Sequence, residues 1–133
     1  MDAVTRIGQY FAACSAGTSD DIAAHFTPDA VIYDTNFGPV RGATAIGRFW
    51  PMVRKRWQGA VWTVDRAFGE GSRAVCEWTM TGVGEQGQAF AFRGSDHYDL
   101  APDGRIAEVR QYWTFDPERL DSALLGYDYD GDS

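Results

Sequence analysis

Three residues of this 133-residue chain have the chemistry to handle protons on an organic substrate: Tyr10, Asp34 and Asp96. Asp96 lies in the run Ala89-Phe90-Ala91-Phe92-Arg93-Gly94-Ser95-Asp96-His97-Tyr98-Asp99-Leu100. Read with a period of two, Phe90, Phe92, Gly94, Asp96, Tyr98 and Leu100 share one face, and Arg93, Ser95, His97 and Asp99 share the other. One carboxyl group therefore points into an apolar wall. An unpaired carboxylate there costs several kcal/mol, so Asp96 must find a partner or keep its proton. Asp34 ends the β-rich run Val31-Ile32-Tyr33-Asp34 and shares a face with Ile32, which makes a second inward carboxyl. It abuts the polar loop Thr35 to Pro39, which suits the ionised form. Two carboxyls in opposed surroundings divide acid and base roles between them. Removing a proton beside a carbonyl needs such a base, together with donors for the oxygen as charge builds there. Each residue also has a plainer reading. Tyr10 could carry its hydroxyl at a helix surface, Asp34 could cap a turn, and Asp96 could pair with Arg93, Arg110 or a backbone amide.

The elements that must position them follow from periodicity. Val4, Ile7, Phe11 and Cys14 recur at helical spacing, with Tyr10 at the edge of the stripe, and predict a helix over 2–15. Ala16-Gly17 stops it. Thr18-Ser19-Asp20-Asp21 caps a short second helix with Ile22, Ala23 and Phe26 on its apolar face. Pro28-Asp29 reads as a turn. Gly42-Ala43-Thr44 opens a third helix with Ile46, Phe49, Trp50, Val53 and Trp57 on its stripe, and Pro51 within it predicts a kink or a late start. From there the period changes to two. Strands are expected over 61–68, 73–83, 88–100 and 105–115, separated by turn signals at Gly69-Glu70-Gly71, Gly84 to Gly87 and Pro102-Asp103-Gly104. Asp116-Pro117-Glu118 reads as the start of a last helical turn through Leu125, and residues 126–133 as a loose acidic tail. Helices followed by a long meander make an α+β domain, in which a curved sheet wraps three helices and leaves a cone open at one end.

Composition narrows the function. Five Trp, six Tyr and eight Phe in one small domain favour a deep apolar cavity, walled here by Trp57, Trp62, Trp78 and Trp113. A formal charge of −7 argues against nucleic acid and anionic membranes as partners. Cys14 and Cys76 match no metal spacing and read as buried reduced thiols. Histidines 25 and 97 read as surface residues. No metal cluster or phosphate loop is evident. Without a secretion signal or an apolar span, a cytoplasmic location is the expectation.

Taken along the chain, the order helix-helix-strand-helix-meander resembles the NTF2-like, or SnoaL-like, superfamily, and the detail resembles ketosteroid isomerase. The resemblance is carried by Gln9-Tyr10 followed by Ala16-Gly17-Thr18, by Ile32-Tyr33-Asp34-Thr35, and by Gly104-Arg105-Ile106 through Gln111-Tyr112-Trp113. It implies a single domain over 1–125. It also implies a donor role for Tyr10, the general base for Asp34, and a protonated oxyanion partner for Asp96. Phe26 and Trp50 stand where that family has supporting tyrosines, so Tyr10 is expected to be the weaker donor; separately, Thr35 stands in place of its Pro after Asp34. Phe26, Trp50, Trp78, Phe90, Phe92 and Trp113 are the expected substrate contacts.

The resulting expectation is a cofactor-free, metal-free isomerase acting on a small apolar carbonyl compound through an enolate. A polyketide cyclase or dehydratase of the same fold is the nearest alternative, and a non-catalytic apolar-ligand or dimerisation module is the other. A homodimer through the sheet is expected, because the outer face carries Val75, Thr79, Thr81 and Tyr112.

Overall fold

In the computed structural model, the described residues are 2–84, 86–116 and 118. The last helical turn expected from Asp116, the acidic tail and the domain boundary at 125 lie outside them, save for Asp116 and Glu118.

Helix α1 (Ala3–Ala16) is capped by Asp2, whose side chain accepts from the Thr5 amide at 2.8 Å. It ends where Gly17 N–H donates to the Ala13 carbonyl at 2.7 Å. Its buried stripe is Ala3, Ile7, Tyr10, Phe11 and Cys14, as the spacing requires. The short α2 (Ser19–Ala23) opens with a reciprocal cap between Thr18 and Asp21. Helix α3 (Ala43–Arg56) starts after Gly42, whose φ of +91° excludes most other residues. Pro51 delays nothing: it sits inside an unbroken helix, where it leaves the Gly47 carbonyl without an amide donor.

The six strands are β1 (Phe26–Asp34), β2 (Val40–Arg41), β3 (Gln58–Glu70), β4 (Arg73–Val83), β5 (Ala89–Leu100) and β6 (Ile106–Trp113), in the spatial order β2-β1-β6-β5-β4-β3. All neighbours are antiparallel except β1 and β6, which are parallel. The expected bounds of β4 and β5 hold to within one residue, while β3 starts three residues earlier and ends two later, and β6 ends two sooner. The expected turn at Pro28-Asp29 is overturned, because β1 runs straight through it. Both residues are exposed, and the register with β6 shifts between Phe26 and Val31. A proline without an amide hydrogen is tolerated at such an irregularity.

The architecture is the α+β, NTF2-like curved open sheet expected, with α1 packed on β3 and α3 on β1 and β3. The core includes Ile7, Ile22, Ile32, Ile46, Ile106 and Val109, all fully buried. No helix among the described residues is long and apolar enough to cross a membrane.

Candidate active site

The two acids lie in one row of the sheet. Gln111 on β6 is the register partner of Asp34 on β1 and of Asp96 on β5, and Cys76 on β4 continues the row. With strands about 4.8 Å apart, the Asp34 and Asp96 backbones stand roughly 10 Å from each other. Both side chains reach a cavity of about 640 Å³, as do those of Tyr10, Trp50, Trp78, Phe92 and Trp113. That volume suits a ligand of several rings. Exposed Met52 and Asn36 also line it, so the cavity opens to solvent on that side. Phe26 and Phe90, expected to touch substrate, do not line it. Phe26 packs behind the Tyr10 ring at 5.0 Å between centroids, and Phe90 lies between Phe92 and Trp57.

Asp34 is held by donors on both oxygens. Gln111 Nε2 donates to Oδ2 at 2.7 Å. Trp113 Nε1 is 2.9 and 2.8 Å from the two oxygens, and the Asn36 amide donates to Oδ1 at 2.7 Å. The loop after Asp34 is fastened to β6. Thr35 Oγ1 donates to the Trp113 carbonyl at 2.8 Å, and Asn36 Nδ2 reaches the same oxygen at 3.0 Å. Thr35 is thus a fastening that a proline could not make.

Asp96 is 2% exposed. Trp78 Nε1 donates to its Oδ1 at 2.7 Å and Tyr98 Oη to its Oδ2 at 2.6 Å. Burial nevertheless pushes its carboxyl up to about 7, against those two bonds, with a smaller push from the Asp34 charge. The arginines considered as partners are not the ones that satisfy it; Arg110 pairs with Glu108 and lies over the Tyr33 ring. Trp78 reaches Asp96 because its register partner is Gly94. The indole lies across that residue, where a Cβ would collide with the ring. The periodic reading put Tyr98 on the Asp96 face but gave it no part in the site. The signal was there: residues i and i+2 of a strand stand side by side, and a phenol can reach back to a carboxyl.

Tyr10 is buried edge-on against Phe11, Phe26 and Tyr98. Burial pushes its phenol well above the usual range, so it remains a donor. Cys14 and Cys76 are free and buried, and burial raises both thiols. His25 is half-buried and hydrogen-bonded to Arg6 at 3.0 Å, while His97 sits on the outer face against Tyr112. Among the described residues no cluster of His, Cys, Asp or Glu could hold a metal ion.

Comparison with known proteins agrees with this fold. Residues 7–109 match the SnoaL-like domain profile. No curated protein matches the chain. Among solved structures, a protein of unknown function with a cystatin-like fold from Methylobium petroleophilum PM1 is similar. It is 26% identical, with a TM-score of 0.72 over 82% of this chain and 73% of that one. A hypothetical protein with a ketosteroid isomerase-like fold from Catenulispora acidiphila DSM 44928, in complex with trimethylamine, is 15% identical with a TM-score of 0.75 over 81% and 84%. Rv0760c from Mycobacterium tuberculosis, in complex with estradiol-17beta-hemisuccinate, is 17% identical with a TM-score of 0.74 over 86% and 95%.

Proposed function

The chain belongs to the SnoaL-like domain family, and from that premise we propose that it is a cofactor-independent enzyme moving a proton on an apolar ketone through an enolate. Since this fold hosts many chemistries, the site must carry the reading. The observation that carries it is the pairing, across one aromatic cavity, of donor-held Asp34 with an Asp96 whose carboxyl titrates near 7. Asp34 takes a proton from the carbon beside the carbonyl. The electron pair moves onto oxygen, where Tyr10 and protonated Asp96 meet the charge. Asp34 then returns the proton to the far end of the conjugated system, shifting the double bond and restoring the base. A ketosteroid-like substrate is in keeping with the cavity volume and with the steroid ester bound by the Mycobacterium tuberculosis neighbour.

Mixing the protein with a 5-ene-3-ketosteroid and following the conjugated-enone absorbance tests this. Asp34→Asn should lower turnover at least about a hundredfold. Equal rates with and without Asp34 defeat the isomerase reading.

A cyclase is the second reading, favoured by one observation: an acid that titrates near 7 can both give and take a proton. In that case Asp96→Asn abolishes ring closure and Asp34→Asn does not. A non-catalytic carrier would instead bind a phenolic enolate mimic equally well in wild type, Tyr10→Phe and Asp96→Leu.

A further inference from the structure

Two polar atoms in the cavity wall close no hydrogen bond of ordinary geometry among the described residues. Tyr10 Oη and Trp50 Nε1 are both buried, in residues only 2% and 7% exposed, and neither has a hydrogen-bond partner among the described residues. Native interiors leave few such groups, because an unmade bond is costly once water is gone. Neither side chain is free to swing away. Trp50 is wedged edge-on between Phe49 and Trp62, at 4.9 and 5.3 Å between ring centroids. Tyr10 is fixed by Phe11 and Phe26. The helices that carry them are joined by Arg54 Nη2, which donates to the Gly17 carbonyl at 2.6 Å. The indole and the Cys14 thiol both lie near enough to bear on the ionisation of Tyr10, yet neither closes a bond of ordinary geometry to it.

An indole N–H can only donate, so whatever completes this pair must accept. A phenol O–H can donate to the same atom. The surrounding wall is aromatic, so a full negative charge resting there is costly. A neutral carbonyl oxygen that gains charge only during reaction suits both donors.

We infer that Tyr10 Oη and Trp50 Nε1 form a two-donor socket for the carbonyl oxygen of the substrate, which makes Trp50 a catalytic residue. This deepens the function proposed above and rests on it for the reaction, though not for the binding. Trp50 occupies a place where the resemblance led us to expect a missing tyrosine. Its N–H supplies a donor that does not ionise, whereas Asp96 loses its proton as pH rises.

The test uses 2-acetylnaphthalene, labelled with 13C at the carbonyl, and 2-ethylnaphthalene as its oxygen-free counterpart. Bound to the wild type, the ketone should show a carbonyl stretch below its value in an apolar solvent. Trp50→Phe keeps an aromatic ring but removes the donor. It should return part of that shift and raise the Kd for the ketone about fivefold, with the Kd for 2-ethylnaphthalene unchanged. Tyr10→Phe should return the other part. The Trp50 indole proton gives a reading that needs no variant: in the wild type its NMR resonance should move downfield with the ketone and not with the hydrocarbon. Absence of saturable ketone binding by the wild type, an unshifted stretch, or an indole resonance that ignores the oxygen overturns the socket. A shifted stretch without ketosteroid turnover overturns the isomerase reading and leaves the socket standing.

Discussion

Asp96 gives folding a pH dependence of unusual sign for an acid. In the unfolded chain it titrates near 3.8, and in the fold near 7. Across that window the folded state holds a proton that the unfolded state has released. The contribution is complete below the unfolded value and is lost as pH rises toward 7, about 4 kcal/mol in all. Asp2, Asp21 and Asp103 are shifted the other way by hydrogen bonds from backbone amides, so their contributions fade only below that window. Urea midpoints should therefore fall between about pH 4 and pH 7 in the wild type, and Asp96→Asn should flatten that fall. Tyr98 donates to the carboxylate and holds Asp96 lower than burial alone would. Tyr98→Phe should move the Asp96 titration upward, read from the side-chain 13C shift. The inward acid was legible from alternation alone. The bond from Trp78 was not, because Trp78 lies on another strand and only register brings it across.

Among the elements, the β4–β5 pair carries a close geometric requirement. Gly94 exists to let the Trp78 indole cross β5 and meet Asp96. Gly94→Ala should displace that ring, cost about 1–3 kcal/mol in chemical denaturation, and change the near-UV circular dichroism. A loss under about 0.5 kcal/mol would mean that the indole relaxes freely. Periodicity found β4 and β5 because their inner faces are uniformly apolar around one acid. It missed β2, whose two residues are too few to show a period, and it broke β1 at Pro28 because a proline signal outweighs a short alternating run. The parallel register of β1 on β6, which sets Asp34 beside Gln111, is a tertiary choice with no local trace in the chain.

At the scale of the whole molecule, the sheet shows one face to the cavity and the other to solvent. The outer face of β3, β4 and β6 bears Val61, Phe68, Val75, Val83 and Tyr112, all exposed, and Phe68 is 65% so. A second copy covering this face is the proposed assembly. Light scattering at micromolar concentration should then give twice the monomer mass, and Phe68→Glu should halve it. A monomer in the wild type would refute that.

The last strand of the meander fills the middle of the sheet. Until β6 is in place, β2-β1 and β5-β4-β3 are separate halves, and Asp34 waits for a Gln111 that follows it by 77 residues. Closing so long a loop is slow. On the ribosome, then, Asp34 emerges early and waits while most of the polypeptide is made, and Asp96 follows only shortly before β6. The acid-bearing seam is stitched by the arrival of β6, so a chain stalled before Ile106 has both acids and no pocket to put them in.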